Sequence, residues 1–328
     1  MSFRIRHVGA AVAALGLVLT AAGCSASDTT PDAGDTGGGD LQTLSVVMLA
    51  GSDSGVALQR GMAAGYFADE GIEIDYSETD SPPSTVSAVV SGQYDIGHTS
   101  PAVAATVIAG GVDIRSVAGG GISKEPGNVG VLTLADSGIT RWKDLEGKQV
   151  GVNAPRGVIT LAVLEAVRLD GGDPAAVELV TLPLNQSVTA LEDGDLDATA
   201  TVKNFIVEAM DTNPDIVNLG DMVAEVFGVG ALLDMFYASP DTMSNKAALI
   251  EGFRAGLEKS YADMNALPAD EWRAVVGEGM GREESQWEFL SWQEFKVPVT
   301  VAEIENYSDG LIAEGWIEQI DVETFVNG

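Results

Sequence analysis

Cysteine and histidine are almost absent from this chain: one cysteine, Cys24, and two histidines, His7 and His98, in 328 residues. A lone thiol excludes an internal disulfide and any multi-cysteine metal site. Positive charge is also scarce, with 17 Lys and Arg against 49 Asp and Glu and a formal net charge of −32. Nucleic acids are gripped through basic patches, so this balance excludes that class of partner. Beyond the first two dozen residues no segment is apolar enough to span a membrane. Catalytic signatures are missing too. There is no nucleophile elbow and no HExxH, and Gly119-Gly120-Gly121 lacks the lysine that a phosphate-cradling loop needs. The sequence therefore reads as a non-enzyme that needs no cofactor and no metal.

What is present begins with an export signal. Arg4 and Arg6 precede an uncharged apolar run of about fifteen residues, 8–22, which is short for a membrane span and suited to a signal peptide. The run ends in Ala21-Ala22-Gly23-Cys24. Small residues leading into the only cysteine resemble a bacterial lipobox, although Ala21 stands where leucine is usual. Residues 1–23 are expected to be cleaved and Cys24 to carry the lipid. The alternative is an ordinary signal peptide cut nearby, with Cys24 left as a stray thiol. Residues 25–40 contain no large apolar side chain and cannot bury surface, so residues 24–40 read as a flexible tether. Its reach is roughly 20 Å. Without the two signal-peptide arginines the mature chain keeps a formal charge of −34.

The remaining body is long enough for two lobes with real cores. Residues 44–50 form a buried-strand pattern, residues 56–64 a helix and residues 72–76 an alternating strand. A second helix over 84–91 ends at Gly92, followed by a strand over 94–98. Strands alternating with helices specify a parallel α/β sheet. The pattern then recurs. With Gly92 set against Gly194, residues 85–96 face residues 187–198, and both segments read helix, glycine, two residues, aspartate, strand. The strand 149–153, the helix 160–169 and the strand 177–182 mirror the opening elements. Two copies of a βαβαβ unit imply two similar lobes, against the alternative of chance likeness between generic α/β units. The alternating Asp193, Asp195 and Asp197 do not make a calcium loop. Such a loop needs Gly sixth and Glu twelfth, where this chain has Ala198 and Asn204. They read as a solvated turn.

Four segments together resemble a known family. They are Gly65-Tyr66-Phe67 with Glu70-Gly71-Ile72, Ser91-Gly92-Gln93-Tyr94-Asp95-Ile96-Gly97, Asp144-Leu145-Glu146-Gly147-Lys148-Gln149-Val150-Gly151-Val152, and Gly194-Asp195-Leu196-Asp197-Ala198. In this order and spacing they are similar to the solute-binding proteins of ATP-driven importers for nitrate, sulfonates, taurine and thiamine pyrimidine precursors. The resemblance covers about residues 42–265. It implies a two-lobed type II periplasmic-binding fold, with a small organic solute, anionic or zwitterionic or pyrimidine-like, held between lobes that close by a hinge. It also implies an ABC permease as partner, a location on the outer face of the cytoplasmic membrane and action as a monomer. A lipoprotein that senses its ligand and signals to a receptor is the alternative. A fungal pyrimidine synthase shares the fold, but its chemistry relies on cysteines and histidines that this body lacks. The lobes are expected at 41–128 and 129–230. Residues 231–328 are expected to return to the first lobe and pack the C-terminal helices, with most of the tryptophans, upon it. Hinges are expected near 126–130 and 229–232.

In open α/β sheets, ligands bind beyond the carboxyl ends of the strands. The candidate contacts there are Ser52, Asp53, Ser54, Asp80, Ser81, Thr99, Ser100, Arg156, Gly157, Thr160, Asn185, Lys203 and Asn204. Most of these ends carry hydroxyls, and the rest offer amides or helix N-termini, a set suited to an anionic or hydrogen-bonding group. Arg156, just before a helix, reads as an anion contact or as an exposed loop arginine. Asp53 holds a ligand ammonium or caps its helix, and Lys203 pairs with Asp53 or with the ligand. His98 contacts the ligand or is a satisfied core histidine. Trp292 walls the cleft or packs in the core.

Overall fold

A run of leucine, valine and methionine flanked on both sides by other strands sets the first sheet. In β1 (Gln42–Leu49) the side chains of Leu44, Val46, Val47 and Met48 are all buried, the continuous apolar run of a strand covered on both faces. The computed structural model describes residues 41–328 apart from Asp80. The signal peptide, Cys24 and the tether lie outside the described residues.

After β1 come α1 (Asp53–Ala63), β2 (Ile72–Thr79), α2 (Pro82–Val90), β3 (Ile96–Thr99), α3 (Pro101–Ala109) and β4 (Arg115–Gly119). The short β5 (Gly121–Ser123) leads away from this sheet. A second sheet is then laid down by β6 (Val129–Leu134), β7 (Gln149–Val152), α4 (Val158–Leu169), β8 (Glu178–Thr181), α5 (Leu184–Glu192), β9 (Ala198–Val202), α6 (Lys203–Thr212) and β10 (Ile216–Asn218). Through α7 (Met222–Phe227) the chain returns to the first sheet as β11 (Met235–Ala238). It finishes with α8 (Pro240–Asn245), α9 (Ala247–Asn265), α10 (Ala269–Gly279), β12 (Gln293–Phe295), α11 (Val301–Ala313) and α12 (Val322–Asn327).

The strand orders are β2-β1-β3-β11-β4 and β10-β6-β9-β7-β8. In each sheet the first strand of the repeated unit pairs in parallel with the other two, β1 with β2 and β3, β7 with β8 and β9. The likeness reaches single hydrogen bonds. Asp95 accepts the Ser45 N–H at 2.9 Å, and Asp197 accepts the Gln149 N–H at 2.9 Å. Each aspartate follows a glycine at positive φ, Gly92 at 74° and Gly194 at 78°, a conformation open to glycine without strain. Asp197 is thus spent on a strand amide, and among the described residues no acidic or histidine cluster is placed to hold a metal.

Two passages connect the sheets, and they run side by side. Gly230 donates to the Ser123 carbonyl at 2.8 Å, and the Ser123 N–H donates to Ala231 at 3.3 Å. Asp221, the N-cap of α7, also accepts the N–H groups of Gly127 at 2.6 Å and Asn128 at 3.2 Å. One carboxylate therefore ties both passages.

The first core packs β1, β3 and β11 against α9 and α10 through Phe253, Leu257, Tyr261 and Trp272. Of the C-terminal helices, α11 packs chiefly along α3 beside the first sheet, with Ile304 in one core with Ala104, and also reaches the second sheet's core. In α11, Tyr307 and Leu311 enter the second core beside Leu161 and Phe227, with the Phe227 and Tyr307 rings stacked at 4.4 Å. The apolar face of α4 needs a cover, and α11 supplies part of it. The helical stretch from Pro240 to Asn265 is two helices, α8 and α9, broken at Lys246 with φ −121° and ψ 28°.

Candidate functional site

The carboxyl ends of β1 and β3 meet the start of β11, and there the sequence half-buries an acid. Asp234 interrupts the apolar run Ala231-Leu232-Leu233 before Met235-Phe236-Tyr237. Its Oδ1 accepts the Ser54 hydroxyl at 2.6 Å and the Gly121 N–H at 3.2 Å, and lies 3.2 Å from His98 Nε2. A Cβ on Gly120 would stand 1.7 Å from the same oxygen, so only glycine lets the backbone come this close. His98 is 2% exposed. Its Nε2 also sits 3.5 Å from the Ser52 hydroxyl, while its Nδ1 is buried without a partner.

Asp53 lies beside this cluster. It opens α1, yet its side chain does not cap the helix. Ser52 does that, accepting from the Gly55 N–H at 3.4 Å. The Asp53 carboxylate instead accepts the amide of Gln293, which β12 brings in from the far end of the chain. Burial, and then the neighbouring Asp234 charge, push the Asp53 carboxyl from its ordinary 3.8 up to about 7, with Arg282 and Gln293 pulling the other way. Burial likewise drives the Tyr261 hydroxyl well above 10, reinforced by Asp234; that hydroxyl donates to Gly119 at 3.1 Å.

Two adjoining cavities open beside Gln293, of about 270 and 300 Å³. Both are lined by Asn128, Val202 and Gln293. The first adds Lys203, Arg282 and Phe289. The second is more apolar, with Val158, Ile159 and Leu233. Side chains from the second sheet, from the passage after β5 and from the C-terminal segment thus face one space. Asn128 Oδ1 and Gln293 Oε1 are buried there without a hydrogen-bond partner, as are Thr99 Oγ1 and Thr201 Oγ1 at their strand ends. Unpaired buried polar atoms in one region call for an explanation, and a bound ligand is one.

Of the residues expected from sequence, Ser52, Asp53 and Ser54 gather around His98, Asp234 and Gln293. Lys203 lines a cavity, and its Nζ lies 3.9 Å from Glu125; the expected pairing with Asp53 is not made, because Gln293 occupies that carboxylate. Thr99 is buried. Ser100 caps α3, and the Thr160 hydroxyl is taken by the Ala154 carbonyl at 2.5 Å. Gly157 is the uncapped N-cap of α4, and Ser81 precedes α2 without a side-chain cap. Asn185 and Asn204 fall in α5 and α6. Asp80 lies outside the described residues. Arg156 is exposed and lines neither cavity. Trp292 flanks the first core, with Lys124 over its ring at 5.7 Å. Sequence reasoning missed Asp234, Gln293, Asn128 and Arg282. Only Asp234 carried a local signal, an acid within an apolar strand run.

The family model described as NMT1/THI5 like matches residues 58–271. The chain belongs to the NMT1/THI5-like family. Among curated proteins it is 32% identical over 97 residues to the 4-amino-5-hydroxymethyl-2-methylpyrimidine phosphate synthase of Schizosaccharomyces pombe, covering 30% of this chain and 27% of that one. The match thus spans about a quarter of that relative's length. Among solved structures, the periplasmic aliphatic sulphonate binding protein SsuA of Escherichia coli superposes with a TM-score of 0.69 at 19% identity, over 87% of this chain and 97% of the other. The periplasmic nitrate-binding protein NrtA of Synechocystis gives 0.65 at 11% identity, over 87% and 84%. This NMT1/THI5-like chain therefore has the two-lobed periplasmic-binding-protein fold.

Proposed function

We propose that this chain is the extracytoplasmic solute-binding lipoprotein of an ABC importer. It captures a small organic solute between its lobes and passes it to a permease in the cytoplasmic membrane, working as a monomer anchored through Cys24. The observation that carries this reading is the pair of adjoining cavities flanked by Lys203 and Arg282, in a chain with few cations to spare. Lys203 is the first residue of α6, whose N-terminus has no side-chain cap, so backbone amides and an ammonium are available together to an anionic group. The sulphonate- and nitrate-binding proteins that share the fold support an anionic or zwitterionic solute.

Binding rather than catalysis follows from the groups available. His98 is buried against Asp234, and the folded body holds no cysteine. A thermal-shift screen of the purified chain against sulfonates, carboxylates, nitrate and aminopyrimidines is the direct test. A ligand at a hundredfold its dissociation constant raises stability by about 2.7 kcal/mol. No shift with any compound would sink the reading. Anchoring is tested separately: Cys24→Ser is expected to move the protein from washed membranes into the medium.

A further inference from the structure

Asp221 does more than its helix requires. Its Oδ1 accepts the N–H groups of Val223 and Ala224 at 3.0 Å each, which is the capping of α7. Serine or asparagine would cap as well. Its Oδ2 accepts the N–H groups of Gly127 and Asn128 at 2.6 and 3.2 Å, across 94 and 93 positions. Asparagine is unsuited to that second task, because its NH2 would face two donors, and serine has no second oxygen to give. Only a carboxylate does both.

The second task reaches the cavities through Asn128. The Asn128 carbonyl accepts the Lys203 N–H at 3.0 Å, so its backbone is pinned from the starts of both α6 and α7. Its side chain lines both cavities. Just upstream, Glu125 is tied the other way, to the elements packed on the first core. It accepts from Arg273 of α10 at 2.6 Å and from the Trp292 N–H at 3.3 Å, while the Lys203 ammonium stands further off at 3.9 Å. Between these opposed ties lies Pro126, with its φ fixed by the ring. Gly127 follows at φ 105°, left-handed backbone that a side chain would strain. The other passage is held by α11. The Asn306 amide donates to the Phe227 carbonyl at 3.3 Å and the Tyr307 hydroxyl to the Leu232 carbonyl at 2.7 Å, one at each end of residues 228–231.

We propose that Asp221 is a positioning residue of the solute site. It fixes the second-lobe end of the first passage, so that the lobes turn about the backbone at Pro126, and it holds Asn128 against both cavities. The inference rests on the solute-binding reading above and assigns the hinge and the cavity wall to one carboxylate.

Asp221→Ser separates the two tasks, since serine keeps the cap and gives up the second oxygen. The test uses the mature chain with Cys24→Ser and spin labels at Val90→Cys in α2 and Leu169→Cys in α4, side chains 52% and 66% exposed. Without any solute, Asp221→Ser is expected to widen the distance distribution between the labels at least twofold, with the circular dichroism unchanged. By amide hydrogen exchange, Gly127 and Asn128 are expected to be protected in the parent and to exchange about tenfold or more faster in the variant, whereas Val223 and Ala224 do not change. Calorimetry with nitrate and ethanesulfonate is expected to show about a tenfold or greater loss of affinity, because the site is no longer held in place. An unaltered distance distribution overturns the proposal, and so does unaltered affinity for a probe that the parent binds. Failure of both probes to bind the parent counts against the solute reading alone, and the distances and amides then decide. Should Asp221→Ser not fold, the parent's amides decide: Gly127 and Asn128 exchanging at the rate of an open loop would overturn the proposal.

Discussion

The two βαβαβ copies share a template and differ in what is packed behind it. In the first copy Asp95 has a side chain 16% exposed and paired to Lys246 at 2.7 Å. In the second, Asp197 is 39% exposed and its partner Lys148 stands 3.5 Å away. The same contrast holds at the carboxyl ends. The first copy meets β11 and β12, which bring Asp234 and Gln293 into a buried polar floor. The second ends in a loop where Asn153 and Arg156 are exposed; unpartnered buried hydroxyls occur in both copies, at Thr99 in β3 and at Thr199 and Thr201 in β9. The two copies thus supply the scaffold together with Asp53 and Lys203, while segments after the second copy add Asp234, Arg282 and Gln293.

The sharpest way to break the comparison is at Gly120, a position without counterpart in the second copy. Gly120→Ala puts a methyl group into the Asp234 carboxylate and is expected to cost about 3 kcal/mol or more in urea unfolding, since that carboxylate is held in place by Ser54, Gly121 and His98. Next in size is the pair of turn aspartates. Asp95→Ala leaves the Ser45 N–H and hydroxyl without their acceptor and Lys246 without its anion, for an expected loss of about 2–3 kcal/mol; Asp197→Ala, in solvent, costs about 1 kcal/mol. Equal losses would show that the two copies are buffered alike.

A third test uses pH. Burial works against the charge of Asp95, but Lys246 and the Ser45 donors outweigh it and hold its carboxyl below the ordinary value. Its contribution is present above the unfolded-state pKa and is lost as pH falls. Asp53 has the opposite sign. Its pKa is raised from 3.8 to about 7, so its stabilising share is present below 3.8 and lost as pH rises through 7. Asp53→Asn should accordingly match the parent near pH 4 and exceed it by about 2 kcal/mol at pH 8, allowing for screening of a partly exposed group. The smallest effect belongs to the exposed loop of the second copy. Arg156→Ala is expected to alter stability by less than about 0.5 kcal/mol and the solute Kd less than twofold, whereas Lys203→Ala weakens an anionic solute about tenfold or more.

Much of this scaffold is legible in the amino-acid sequence because repetition is a local signal. Gly92 and Gly194 each end a helix at positive φ, and the aspartate three residues on takes a strand amide in both copies. Helix starts were less legible. The apolar pattern of α1 begins at Val56, but the helix begins at Asp53 because Ser52 caps it. The site was the least legible part. Gln293 reaches Asp53 across 240 positions, and neither residue carries a mark of the other in its own neighbourhood. Arg156 stood at the right kind of place, a strand end before a helix, but which loop side chains turn inward is settled by tertiary packing. Asp234 was open to detection, since an acid in an apolar strand must be compensated somewhere.

The placing of α11 bears on how the molecule comes into being. Tyr307 and Leu311 complete a core whose strands lie between residues 129 and 218, so that core stays open on a nascent chain until residues beyond 300 have been made. A stop codon ahead of Val301 would therefore injure a part of the protein made long before it.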